Sequence, residues 1–448
     1  MRIVIIGAGE VGRHLARSLQ TEAELILIDA DAAELAVAEE GLDALTLVGN
    51  GMHRSVLHRA EVARADMVIA VTPDDSVNLV SAALARSLGA ARAVARVDDP
   101  KFYETKRGFE LGVLGIEASV CASRLVGVEL LRKLAGVRAR QVVPCAAGLV
   151  QVASHVIGED SPLLARSRAR AITWPEQVRA VVRAGQLRPC SEVEHAELGD
   201  VALIACGPLR LLELLHELTP AAGTTRTTIV GGGDVGVQLA GLLGPRELLD
   251  RLIESDRGRC WTLAEQLHGV QILHGDGTNI SFLREEQIGR ADALLAVTGS
   301  DEANLMTSLL ARELGVEHVF ALVHRPGYAG VYSHLGVTGT VSPHETITNV
   351  IHSMLPRGIL VGRSALTELA VDLVELRPAQ AGVRVSDLPL PPGAVPLIIA
   401  GRSNRVPKPR AALEVDDVLV VALPGGRIPM LEKALRRKPI QATGGTKA

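Results

Sequence analysis

Three short patterns, each present twice in the same order and at near-constant spacing, predict an α/β chain. Its expected architecture is two doubly wound parallel-sheet domains of the Rossmann type, each followed by a small α+β domain. Gly7-Ala8-Gly9-Glu10-Val11-Gly12 returns as Gly231-Gly232-Gly233-Asp234-Val235-Gly236. Gly49-Asn50-Gly51 returns as Gly275-Asp276-Gly277, and Val71–Asn78 returns as Val297–Asn304. Several elements recurring together mark an internal duplication rather than coincidence.

Within the first repeat, Ile3–Ile6 reads as a strand and Val11–Leu19 as a helix. Leu25–Ile28 is a second strand, Ala32–Glu40 a helix, and Leu45–Val48 a third strand. Met67–Val71 follows as a strand, Leu79–Leu88 as a helix and Ala93–Val97 as a fifth strand. Strands alternating with helices imply parallel βαβ units with right-handed crossovers. The strands are apolar without strict alternation, as a sheet covered on both faces requires.

After each unit the pattern changes to short strands and turns. From about 140 to 215 these are Leu149–Val152, Ile172 and Ala180–Arg183, then Gly199-Asp200 leading into Val201–Cys206. From about 365 to 444 they are Leu369–Leu376, Leu397–Ala400, then Asp416-Asp417 leading into Val418–Leu423. Helical segments near Cys121–Leu134 and Thr346–Leu355 join each pair. Thr219–Thr225 reads as the linker between halves and Lys438–Ala448 as a tail. The expected units are 1–118, 138–218, 226–343 and 363–444.

Composition narrows the class. The chain has 448 residues, 47% of them hydrophobic, which suffices for several cores. A net charge of −4 and an aromatic share of 2% argue against a nucleic-acid partner, which calls for a basic face and stacking rings. No apolar run is long enough to span a bilayer. Met1-Arg2 passes directly into Ile3-Val4-Ile5-Ile6-Gly7 without a signal-peptide pattern. Cys121, Cys145, Cys190, Cys206 and Cys260 form no Cys-x-x-Cys pair, and the histidines show no ligand spacing, so no metal site is expected.

The glycine pattern carries chemistry because it follows a strand and opens a helix. Gly7 permits the tight turn, Gly9 the close approach of a pyrophosphate, and Gly12 close packing of helix on strand. The helix start, with Glu10 and Val11, adds unpaired N–H groups and partial positive charge. Asp29 ends the second strand, where a carboxylate accepts hydrogen bonds from ribose hydroxyls and repels a 2′-phosphate. NAD(H) is therefore favoured over NADP(H), with ATP or ADP as possible occupants of the same cleft. The second copy has the same parts: Gly231, Gly233, Asp234, Val235, Gly236 and the acid Glu254. Here the Gly244-Pro245 step in Gly241–Arg246 is expected to shorten or bend the first helix. Arg96, at the end of the fifth strand, aligns with Leu322, so the two sites are expected to be unequal.

The loops after strand three, with Asn50 and Gly51 or Asp276 and Gly277, read equally well as β-turns or as ligand contacts. Thr72, Asp75 and Asn78, and Thr298 with Asp301 and Asn304, flank the helix after strand four. That position fits both N-capping and a ligand site at strand carboxyl ends.

These residues resemble the regulator-of-conductance-of-potassium (RCK) family. Its pattern includes Gly-Asp-Gly-Thr after strand three, intact at Gly275–Thr278 and with Asn50 replacing the acid in the first copy. Two complete pairs in one chain resemble the family's potassium-uptake regulators. The resemblance implies a cytoplasmic, non-catalytic regulator, peripheral to the inner face of the plasma membrane. It also implies a Trk-type membrane potassium channel or transporter subunit as partner, and assembly into a ring-like homo-oligomer, dimeric or tetrameric. Two other readings compete with this one. The same module serving another cation transporter or antiporter fits the same residues. An NAD-dependent dehydrogenase needs a proton donor in a substantial second domain, and the small modules, with His155 and His195, offer little of that kind.

Overall fold

The computed structural model describes residues 1–99, 115–116, 118–169, 174–219, 226–355, 359–378, 380–401 and 403–437. Ile172, most of the expected linker (220–225) and the tail lie outside the described residues.

The first sheet contains β1 (Arg2–Ile6), β2 (Glu24–Asp29), β3 (Leu45–Val48), β4 (Met67–Ala70), β5 (Ala93–Arg96) and β6 (Ala118–Val120). Its order is β3-β2-β1-β4-β5-β6 and every pairing is parallel. Ile3, Val4 and Ile5 of β1 are fully buried because helices cover both faces. Those helices are α1 (Glu10–Leu19), α2 (Ala32–Glu39), α3 (Arg54–Arg59) and α4 (Asp75–Ser87). Val11, Leu15 and Leu19 recur at helical spacing and form the buried stripe of α1. A longer helix, α5 (Ala122–Gly136), leads away from the sheet.

The next segment forms a five-stranded antiparallel sheet, with order β10-β9-β11-β8-β7. It comprises β7 (Gln141–Cys145), β8 (Val150–Val156), β9 (Val178–Arg183), β10 (Gln186–Pro189) and β11 (Val201–Cys206). Helices α6 (Pro162–Ala169) and α7 (Pro208–Leu218) accompany it.

The second half repeats the plan. Its parallel sheet contains β12 (Thr227–Val230), β13 (Leu249–Glu254), β14 (Gln271–His274), β15 (Ala293–Ala296), β16 (His318–Leu322) and β17 (Gly339–Val341). The order, β14-β13-β12-β15-β16-β17, copies the first sheet strand for strand. Its helices are α8 (Asp234–Leu243), α9 (Arg257–Gln266), α10 (Ile280–Glu285), α11 (Asp301–Glu313) and α12 (Ala329–His334), followed by α13 (Pro343–Met354). The last region holds β18 (Leu360–Leu366), β19 (Val371–Leu376), β20 (Val383–Arg384), β21 (Val395–Ala400), β22 (Ala412–Leu413), β23 (Val418–Pro424) and α14 (Ile428–Arg437). Its four-stranded sheet runs β18-β19-β23-β21, and β20 pairs with β22.

Two expectations are corrected. Helix α8 spans ten residues, the same as α1, so the Gly-Pro step does not shorten it. Pro245 falls in a 3-10 turn beyond Leu243, where a missing N–H removes no bond from the helix. Each parallel sheet also gains a sixth strand, β6 or β17, too short to show a periodic signal.

The halves interlock. Leu130, Leu131 and Leu134 of α5 share a core with Leu239 and Leu243 of α8. Ile347 and Ile351 of α13 share one with Leu15 and Leu19 of α1. Each joining helix therefore packs on the glycine-loop helix of the other half. The two antiparallel sheets meet face to face through Val150, Val152, Leu203, Leu373, Leu397 and Val420. Among the described residues no helix is long and apolar enough to cross a membrane.

Candidate nucleotide sites

Both glycine loops lie between the central strands at their carboxyl ends, where the strand order reverses and ligands of doubly wound sheets bind. Gly7 has φ +111° and Gly231 has φ +113°. A Cβ on Gly7 would stand 3.0 Å from the Thr72 nitrogen, and one on Gly231 would stand 2.9 Å from the Thr298 nitrogen. Glycine is required there by both conformation and space. Gly12 and Gly236 are required by space alone, since a Cβ would lie 1.9 Å from the carbonyl oxygen of Gly7 or Gly231. Gly9 and Gly233 differ: a Cβ at either meets nothing within 4 Å. That open space in front of the helix start is the cradle a pyrophosphate would fill.

The acids at the end of β2 and β13 turn back onto the glycine loops. Asp29 accepts from the Ala8 N–H at 2.6 Å and from the Asp31 N–H at 2.9 Å. Glu254 accepts from the Gly232 N–H at 2.7 Å and from the Asp256 N–H at 2.8 Å. Both oxygens of Asp29 retain a lone pair for a ribose hydroxyl, whereas in Glu254 only Oε2 does, because Oε1 also accepts from the Ser255 hydroxyl at 3.2 Å. In the second half a cleft of about 510 Å³ is lined by Gly231–Gly233, Glu254, Asp276, Gly277, Thr298 and Ser300.

The loops after strand three use their polar side chains locally. Asn50 accepts from the Met52 N–H at 2.9 Å, and Asp276 accepts from the N–H and hydroxyl of Thr278, both at 2.8 Å. Asn and Asp serve this turn equally, which accounts for the Asn50 exchange. Gly51 and Gly277 pack tightly: a Cβ would lie 2.6 Å from Ile6 Cγ2 or 2.4 Å from Val230 Cγ1.

The residues after strand four brace the crevice. Asn78 and Asn304 are fully buried. Each accepts from the N–H and hydroxyl of Thr72 or Thr298, and donates to the carbonyl of Arg96 or Leu322. The helix caps are Asp74 and Ser300, one residue earlier than Asp75 and Asp301. Asp75 instead accepts from the N–H groups of Asp98 and Asp99, each at 2.9 Å. Asp301 does the same for His324 and Arg325, at 2.8 and 2.9 Å. Burial opposes ionisation of Asp301, but these bonds and the His324 ring outweigh it and hold the carboxyl below its usual value. The Arg96 side chain is paired with Asp98 at 2.6 Å.

Three groups escaped the sequence reading. Arg13 donates to the Ala8 carbonyl at 2.7 Å and pairs with Glu34. Arg259 donates to the equivalent Gly232 carbonyl at 3.1 Å. The two arginines sit on different helices, so aligning the repeats hides the match. His344 of α13 reaches across to Glu10 of the first glycine-loop helix, Nε2 to Oε2 3.0 Å. Among the described residues no cluster of three or more His, Cys, Asp or Glu suits a metal ion.

Comparison with known proteins agrees with this plan. The TrkA-N domain model matches residues 3–114 and 227–343, one copy on each parallel sheet. A Trk system potassium uptake protein TrkA homolog from Archaeoglobus fulgidus is 33% identical over 442 residues, covering 97% of this chain and all of that one. Trk system potassium uptake protein TrkA from Azorhizobium caulinodans is 30% identical over 389 residues, 84% of each chain. The crystal structure of the GsuK RCK domain superimposes with a TM-score of 0.57 at 19% identity, covering 98% of this chain and 95% of that one. The GsuK channel bound to NAD gives 0.56 at 20%, covering 98% and 79%. With two TrkA-N domains and relatives matched along nearly its whole length, the chain belongs to the TrkA family of Trk system potassium uptake proteins.

Proposed function

We propose that the chain is a cytoplasmic, nucleotide-responsive regulatory subunit that docks on a Trk-type membrane potassium subunit and gates it. The observation that carries this reading is the reciprocal packing of the joining helices. Helix α13 lies on α1, and α5 lies on α8, so each glycine-loop helix touches the element that links the other half. A nucleotide that prefers one placement of α1 or α8 shifts the relation between halves, which is all that gating without chemistry requires. The functional units are taken as 1–118, 138–218, 226–343 and 363–444. NAD(H) is the proposed ligand, because the open cradle at Gly9 and the Asp29 carboxylate fit a pyrophosphate and a ribose. ADP or ATP is compatible with the same loops. The relatives' names support the potassium system, and GsuK in its NAD-bound form supports the nucleotide. Assembly into a homo-oligomeric ring belongs to the same proposal.

Two measurements test it. The protein should co-purify with a Trk-type membrane subunit, and NADH should change potassium flux through the reconstituted pair without being oxidised. Flux that is indifferent to both the chain and NADH overturns the reading.

A further inference from the structure

A cavity of about 1210 Å³ opens where the halves meet, between α5, α8, α13 and loops of both antiparallel sheets. No residue of either glycine loop lines it. It is as large as sites that bury whole small molecules, typically about 300–1,000 Å³. Three observations say what it takes.

First, its lining combines aliphatic and cationic side chains. The aliphatic ones include Leu131, Val350, Met354, Leu397 and Ile398. No aromatic ring is in the lining, so nothing offers a stacking face to a base. Glu176 is the single acid among the lining residues, against Arg124, Arg179, Arg210, Arg405 and Lys408. Arg210 and Arg405 already hold carboxylates, Glu217 and Asp417.

Second, Arg179 is left over. Its Nε is buried and has no hydrogen-bond partner, and no ion pair engages its guanidinium among the described residues. Arg179 is half-buried with no counter-ion among the described residues, so an anion meeting the rest of its guanidinium in the cavity is favoured there. Lys408, at the exposed rim, has no carboxylate partner either among the described residues.

Third, the turn between β7 and β8 is strained. Ala146, Ala147 and Gly148 have φ of 50°, 58° and 82° in succession. Alanine pays for that conformation, and such strain gathers at binding sites. The turn holds Leu149 at the cavity, 57% exposed.

We propose that this cavity binds an amphipathic anion with one carboxylate or phosphate head and an aliphatic body. The head lies between Arg179 and Lys408 and the body lies along Met354, Leu397 and Ile398. Because the walls come from both halves, the ligand would fix the placement of α5 against α13, the helices that pack on α8 and α1. The proposal stands apart from the nucleotide reading, since it uses none of those residues.

The test is calorimetric titration of the full chain with dodecanoate, with dodecanol (body only) and with inorganic phosphate (head only). Dodecanoate should bind once per chain, dodecanol at least about tenfold more weakly, and phosphate without saturation. Arg179→Met should lower dodecanoate affinity about tenfold, Arg179→Lys should recover part of it, and NADH binding should stay unchanged. If Arg179→Met does not fold by circular dichroism, Lys408→Met at the exposed rim replaces it, with a smaller loss in the same direction. Equal binding of dodecanoate and dodecanol, saturable binding of phosphate alone, several equivalent sites, or indifference to the folded variants would each overturn the proposal.

Discussion

In the first half, Arg13 of α1 reaches the Ala8 carbonyl and is neutralised by Glu34. In the second, Arg259 of α9 reaches the equivalent Gly232 carbonyl, and no carboxylate pairs with it among the described residues. The position matching Arg13 is Val237. The position matching Glu34 is Arg259 itself, each three residues beyond the helix-capping Asp31 or Asp256. A second exchange accompanies this one. The shorter Asp29 stands beside Ala8, whereas the longer Glu254 stands beside Gly232. A Cβ on Gly232 would lie 2.8 Å from Glu254 Oε2 and 2.5 Å from Leu263 Cδ1, so glycine makes room for the extra methylene. The two halves thus keep the same backbone contacts while distributing charge differently. The turns that hold the two loops are alike, and the difference lies in the side chains around them.

The shared part of this comparison carries the largest expected effect. Gly12→Ala and Gly236→Ala each drive a methyl group to 1.9 Å from a backbone carbonyl oxygen that cannot swing aside. Both should destabilise their own half by about 3 kcal/mol or more, seen as an earlier first transition in denaturant unfolding. A wild-type unfolding curve for either would break the symmetry.

Gly9→Val and Gly233→Val probe the open positions, where a side chain meets nothing within 4 Å. The fold should survive, while nucleotide binding at the altered half falls on the order of 100-fold, about 2.7 kcal/mol. Calorimetric NADH titration separates the halves. The first site, with Arg96, is expected to hold the dinucleotide more tightly; loss of the tight phase in Gly233→Val but not in Gly9→Val would reverse that order.

Next comes the unmatched charge. Arg259→Met should weaken ADP binding in the second half about tenfold, near 1.4 kcal/mol, and NADH binding less. A nucleotide with a terminal phosphate carries more negative charge toward the loop than the diester of a dinucleotide. Equal losses for both ligands would remove Arg259 as the source of the difference.

What the sequence made legible follows from how locally each feature is encoded. The glycine loops, the acids closing β2 and β13, and the repeat itself are set by neighbouring residues, so spacing revealed them. The Gly244-Pro245 step misled, because one residue decides whether proline lies inside or beyond a helix. Strands β6 and β17 have three residues each, below any periodic signal. The roles of Asp75 and Asp301 depend on loops 23 or 24 positions away, which local capping rules do not reach. The docking of α13 on α1, and with it the partner of Glu10, depends on contacts across most of the chain.

That contact gives the smallest and most selective prediction. His344 has 15% side-chain exposure, its Nε2 meets Glu10, and its Nδ1 is buried without a partner. Burial holds its pKa below the ordinary value of 6.5; Glu10 pulls upward, while His324, His14 and Arg96 push further down. When α13 lifts from α1 the ring recovers its ordinary value, so the undocked state binds more protons below pH 6.5. Docking is therefore fully supported above that pH and weakens as pH falls from it toward the docked value. Helix α5 carries no histidine, so the matching contact on α8 lacks this dependence. Amide exchange across α1 should accelerate a few-fold between pH 7.5 and 5.5, after correction for intrinsic rates, while α8 stays level; a shift of one pKa unit is worth about 1.4 kcal/mol. His344→Gln, which keeps a donor for Glu10 but does not titrate, should flatten the α1 profile. Equal acceleration of α1 and α8, or an unchanged profile in His344→Gln, would place the pH dependence elsewhere.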